Sequence, residues 1–143
     1  MALTPVNYTV TIDGAVESDV TQIKEPSYTW RMNLETGRIE GFIDGMEAVR
    51  QYIRKSLMTP RNQYLIYDDT YGEEVSTLIG SNLTQAVRDV ELPRLIREAI
   101  VYDDRIQDVT DITIMPYESD GVRIEFTVQL VDGELLEEGV TVY

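Results

Sequence analysis

The densest groupings of side chains that could do chemistry are carboxylates: Asp68-Asp69 followed by Glu73-Glu74, and Asp103-Asp104. Such pairs suit glycoside hydrolysis, which needs one acid of raised pKa and a second carboxylate roughly 5–10 Å away. Among 26 acidic residues, pairs arise from abundance alone, and turns, caps and solvated faces account for them. A hard cation would use the same oxygens, but neither cluster carries the D-x-[DN]-x-[DN]-G loop of calcium sites. Histidine and cysteine are absent. That removes the commonest general base, the usual zinc ligand, the thiolate nucleophile and any disulfide framework. No Walker loop, dinucleotide fingerprint or G-x-S-x-G elbow is present. A serine nucleophile would need a lysine base, and the two lysines, Lys24 and Lys55, fall in a linker and on a helix face. The sequence therefore predicts a protein that is not an enzyme and uses no metal or cofactor.

The formal net charge of −14 argues against nucleic acid, whose phosphates call for a basic surface, and against an anionic membrane face. A partner surface is expected to be neutral or basic. Residues 101–143 hold eleven of the acids against two arginines, which serve either as a solvated face or as an acidic docking element. The ten arginines, nine tyrosines and Trp30 suit protein interfaces, though tyrosines suit strands equally. Apolar runs are far shorter than the roughly 20 residues of a membrane span, and Met1–Val6 has neither a basic start nor an apolar run, so a soluble, unprocessed chain is expected.

These residues need elements to position them. Val6–Ile12 alternates as a strand, and residues 13–26 form an exposed linker, so the first strand either stands apart or reaches across the body. Ser27–Leu34 and Arg38–Ile43 form a hairpin around Glu35-Thr36-Gly37. Asp44 to Glu47 has capping-box spacing, and Met46, Val49, Ile53 and Leu57 predict a helix over 45–58 whose outer face carries Arg50, Arg54 and Lys55. Gln63–Tyr67 is a short strand candidate, followed by a turn at Asp68–Gly72 and a short helix holding Val75, Leu78 and Ile79. Leu83, Val87, Val90, Ile96 and Ile100 keep helical spacing, with Pro93 imposing a kink or a restart near Val90. Ile106–Tyr117 has an alternating core at Ile112 and Ile114, Val122–Leu130 alternates cleanly, and Val140–Tyr143 supplies a last short strand.

The series Thr36-Gly37-Arg38-Ile39, Gly41-Phe42-Ile43-Asp44-Gly45, Tyr64-Leu65-Ile66-Tyr67, Tyr71-Gly72, Leu78-Ile79-Gly80, Ile96-Arg97-Glu98-Ala99-Ile100 and Asp103-Asp104-Arg105-Ile106 resembles the sheath-initiator family of contractile tails. More narrowly, it is similar to the form of phages and phage-like particles of Gram-positive hosts, which carries an N-terminal extension. The resemblance covers most of residues 27–131. The family also carries a lysozyme-like label that nothing in this sequence supports.

The resemblance implies a virion or tailocin baseplate protein, present as six copies around the tube. Its partners would be the tail sheath protein, the baseplate wedge proteins and the tail tube or tube-initiator protein. Asp103, Asp104 and Arg105 stand where the family has a Glu-Pro-Arg motif that seats it on the wedge, and Gly72 matches a glycine before the short helix. Val140, Thr141, Val142 and Tyr143 would offer an open edge for strands of the first sheath subunits. Two alternatives are another wedge or tube-cap component and a free-standing binding module.

The expected architecture is α+β, with a small antiparallel or mixed sheet, two to three helices, an N-terminal β extension over 1–26 and a C-terminal β-hairpin with open edges. Residues 27–143 form its single domain. On this reading residues 139–143 are dispensable for folding but needed for sheath growth, and Arg105 bridges to a baseplate partner.

Overall fold

The computed structural model describes residues 27–79, 81–82, 84–118 and 121–143. The strand expected at Val6–Ile12 and the linker over 13–26 lie outside them. Three helices and two small antiparallel sheets make an α+β fold, in agreement with the sequence.

Strands β1 (Thr29–Asn33) and β2 (Arg38–Ile43) form the first hairpin. Its turn closes because Asn33 Oδ1 accepts from the N–H groups of Glu35 and Thr36, both at 3.1 Å. Helix α1 (Gly45–Leu57) is capped by Asp44, whose Oδ1 accepts from Gly45 N–H at 2.7 Å. Neither bond of the capping box itself is made. Glu47 turns instead to Arg31 on β1, 3.0 Å away. Gln51 completes the attachment of the hairpin to α1: its amide donates to Trp30 O at 2.8 Å and accepts from Met32 N–H at 2.7 Å.

Residues 61–72 form a loop, not the strand expected at Gln63–Tyr67. Tyr64, Leu65 and Ile66 have strand-forming side chains, but they stand exposed at the surface and pair with no strand among the described residues, and propensity without a partner makes no sheet. The loop is closed at its base, where Arg61 N–H donates to Glu73 O and Glu73 N–H to Thr59 O, each at 2.9 Å. Helix α2 (Val75–Leu78) follows, and buries Val75.

Helix α3 (Gln85–Ile100) runs continuously through Pro93, so the helix does not restart near Val90. The stripe drawn through Val87 and Val90 also fails, because both side chains are exposed. The buried face is Leu92, Leu95, Ile96, Ala99 and Ile100. Only the C-terminal half of the helix lies over the body.

Strands β3 (Ile106–Tyr117), β4 (Gly121–Leu130) and β5 (Leu135–Val142) form an antiparallel sheet with β4 in the centre. On β4, Ile124, Phe126, Val128 and Leu130 are buried at every second position. On β3, buried Ile106 and Val109 and half-buried Ile112 and Ile114 break that parity twice. Each break falls at a register irregularity, between Ile106 and Asp108 and between Thr110 and Thr113, where Asp111 takes φ +52°. A bulge inserts one residue and so moves the following side chains to the opposite face. Helix α3 packs over β3 and α1 over β5, and Val49, Ile53 and Leu57 meet Ile96 and Ile100 in one core with the sheet.

Candidate functional site

At the α3–β3 junction the sequence-derived trio is split. Arg105 grips Asp103 with two parallel bonds, Nε to Oδ1 at 2.7 Å and Nη2 to Oδ2 at 2.6 Å, and its N–H donates to Oδ1 at 3.0 Å. Both side chains are largely buried. The Arg105 carbonyl accepts from Val131 N–H at 3.0 Å, fastening the junction to the β4–β5 turn. Arg105 thus forms a bridge within the chain, to Asp103. The reason is local: a two-residue spacing lets the guanidinium fork close on the Asp103 carboxylate in the geometry such pairs favour. Asp104 faces outward and is exposed.

The shifted groups around this junction move away from neutrality. Hydrogen bonding to Asp103 pushes the Arg105 pKa further up. Burial, then the nearby Asp103 charge, raises Tyr52 to about 12. Burial likewise lifts Tyr71. In the other carboxylate cluster, Asp68 Oδ1 accepts from Thr70 Oγ1 at 2.6 Å, Thr70 N–H at 3.0 Å and Tyr71 N–H at 3.1 Å. Those bonds, the Thr70 hydroxyl first, hold its pKa below the usual carboxylate range, opposite to what a general acid needs. Buried Glu73 accepts from Ser76 N–H at 2.8 Å and secures the start of α2. Both acids are absorbed in turn and helix geometry. Among the described residues no group of three acids is arranged to hold a metal ion.

A groove of about 730 Å³ opens beside this junction, between the first hairpin and the body. Trp30, Met32 and Ile39 line one side, and Tyr52, Tyr71 and Tyr102 the other. Lys55 sits over the rings of Tyr67 and Tyr71, 5.1 and 5.6 Å from their centroids. Gly72, at φ +103°, lies beneath the loop and approaches the Thr59 carbonyl closely.

The second surface is β5. It is longer than the strand expected at Val140–Tyr143 and pairs with β4 from Gln129↔Leu135 to Val122↔Val142. Leu136, Glu138, Val140 and Val142 point to the body, and Val140 and Val142 are buried in the domain's own core. A partner is left the backbone edge together with Thr141 and exposed Tyr143. Glu138 on this strand is taken up within the chain. Its carboxylate takes Arg50 Nε at 2.9 Å and Arg54 Nη2 at 2.7 Å, and retains 5% side-chain exposure. Two members of the basic cluster on α1 are therefore spent clamping β5. An acid in the inward register of a strand needs a buried partner, and Arg50 and Arg54, four apart on one helix face, supply it. We expect Glu138→Ala to lower stability by about 1–3 kcal/mol, because the arginines remain half exposed and recover water. Chemical denaturation at low and at 1 M salt checks it; a loss that salt does not reduce would show packing, not charge, to be responsible.

A profile of the family described as contractile injection system sheath initiator matches residues 28–133. The chain belongs to that family. The phage-like element PBSX protein XkdS of Bacillus subtilis (strain 168) is 41% identical over 143 residues, covering 98% of this chain and 96% of that protein. The sheath-initiator profile begins at the first hairpin and ends in the β4–β5 turn, whereas the likeness to XkdS extends to both flanks. Membership makes the chain a structural part of a contractile tail apparatus.

Proposed function

We propose that this sheath initiator joins the baseplate wedge to the first sheath ring, as six copies around the tail tube, and templates sheath growth by strand addition. The observation that carries the reading is the edge of β5. It pairs with β4 alone, and its outer backbone meets no other strand among the described residues. Such an edge adds an incoming strand through main-chain hydrogen bonds, with alternate side chains setting register. The strand is also rigidly presented, because Glu138 bolts it to α1. Exposed Asp104, beside the braced Asp103–Arg105 pair, is the charge available to a basic wedge surface. The role is one of assembly without catalysis.

The test separates edge from fold. Proline at β5 positions whose N–H points away from β4 removes outward donors but no internal ladder bond. We expect such variants to melt within a few degrees of the parent and to give baseplates bearing naked tubes in electron micrographs. Asp104→Arg should keep stability within about 0.5 kcal/mol and leave the protein off the baseplate. Folded proline variants that still support full sheaths would overturn strand addition at β5, and a normally incorporated Asp104→Arg would overturn the wedge contact.

A further inference from the structure

The first hairpin is unfinished as a folded object. Tyr28 stacks on Phe42 with ring centroids 4.9 Å apart, and Trp30 lies 4.1 Å from Phe42, so three aromatic rings share one face. All three are exposed, Trp30 by 55%. A two-stranded hairpin alone is marginal in water and needs a third layer or strand. On the described residues it is attached chiefly along α1, by Gln51 and the Arg31–Glu47 pair. Among the described residues nothing covers its aromatic face.

The cover must be apolar, uncharged and close. Residues 1–12 contain no charged side chain, and Val6, Tyr8, Val10 and Ile12 alternate. They are tethered to the patch itself, since Tyr28 follows two residues after the segment that ends at Pro26. The fourteen residues of the linker, 13–26, reach up to ~46 Å when extended. A six-residue strand such as β2 spans only ~20 Å. A tether of that length supplies an effective concentration in the millimolar range, which an independent partner would have to exceed. We infer that residues 6–12 dock on the Tyr28–Trp30–Phe42 face of the same chain and complete the hairpin as a three-part unit. The edge of β1 at Trp30 and Met32 is already taken by Gln51, so the docking is to the aromatic face and not to that edge.

The single tryptophan makes this directly measurable. In the full chain Trp30 should emit to the blue and be poorly quenched by acrylamide. Removal of residues 2–12 should red-shift the emission and raise the quenching constant about twofold or more, with both proteins monomeric by sedimentation. Val10→Glu in the full-length chain is the second variant. It keeps the segment's length and should expose Trp30 to a similar degree, whether or not the deletion protein folds. Equal quenching in the parent and Val10→Glu overturns the inference. Protection that appears only with dimerisation, and disappears on dilution, also overturns it by placing the segment on a second copy. Because fluorescence of the isolated chain is the readout, the outcome does not depend on how the protein acts in a tail.

Discussion

Removing Gly139–Tyr143 should unfold or strongly destabilise this domain, not merely strip it of a docking strand. The deletion takes Val140 and Val142 out of the core, and burial of each valine is worth about 1.5–3 kcal/mol. It also removes the pairs Ile124↔Val140, Arg123↔Thr141 and Val122↔Val142 from the ladder. The centre strand β4 is left with apolar side chains and backbone groups open at one end. At the ~5 kcal/mol low end of the range that holds typical domains together, a combined loss of roughly 4–6 kcal/mol leaves little or nothing; at the high end it leaves a folded but strongly destabilised domain. Thermal melting and near-UV circular dichroism of the truncated chain check this; a cooperative melt within a few degrees of the parent would show the strand to be dispensable, as the sequence by itself suggests.

The packing of β5 weighs against that suggestion for a definite reason. From the alternation in Val140–Tyr143 alone, only a short terminal strand is visible, and Glu134, Glu137 and Glu138 upstream look like a charged guard. Once β5 extends from Leu135 to Val142, the parity places Glu138 inward among Leu136, Val140 and Val142, and the guard becomes a clamp held by Arg50 and Arg54. The partner residues lie on α1, more than eighty positions away, where no local pattern can report them. Bulges hid β3 in the same way. Its two parity changes make Ile106 and Val109 look unrelated to Ile112 and Ile114, although all four face the core.

Elements with one uninterrupted period were legible. The β4 alternation and the α1 stripe of Val49, Ile53 and Leu57 appear in the structure where the spacing placed them. The α3 stripe was legible only where tertiary packing uses it, because helical spacing at Val87 and Val90 marks a face without saying whether anything lies against it. For the site, residue positions were readable and directions were not. Asp103, Asp104 and Arg105 lie at the predicted junction, yet two of the three are turned on each other.

Gly72→Ala should be among the most damaging single substitutions in the chain, through two effects that a control can separate. At φ +103° any L side chain is strained, and a Cβ there would lie 2.6 Å from the Thr59 carbonyl oxygen and 3.1 Å from the Arg61 backbone. The obstruction is backbone, so no rotamer change relieves it. That same carbonyl accepts the Glu73 N–H that closes the loop, and the Gly72 carbonyl accepts from the Arg61 guanidinium at 3.1 Å. A shift large enough to admit a methyl group therefore pulls on Glu73, whose carboxylate secures the start of α2, and on the loop bearing Tyr71. Gly37, at φ +69°, has nothing within 4 Å of the added Cβ, so Gly37→Ala carries the conformational term by itself, about 1–2 kcal/mol. Gly72→Ala should cost about 3–5 kcal/mol and lower Tm by roughly 10 °C or more. Paired denaturant titrations of the two variants read the difference, and equal losses would mean that the close approach at Gly72 contributes nothing beyond its backbone angle.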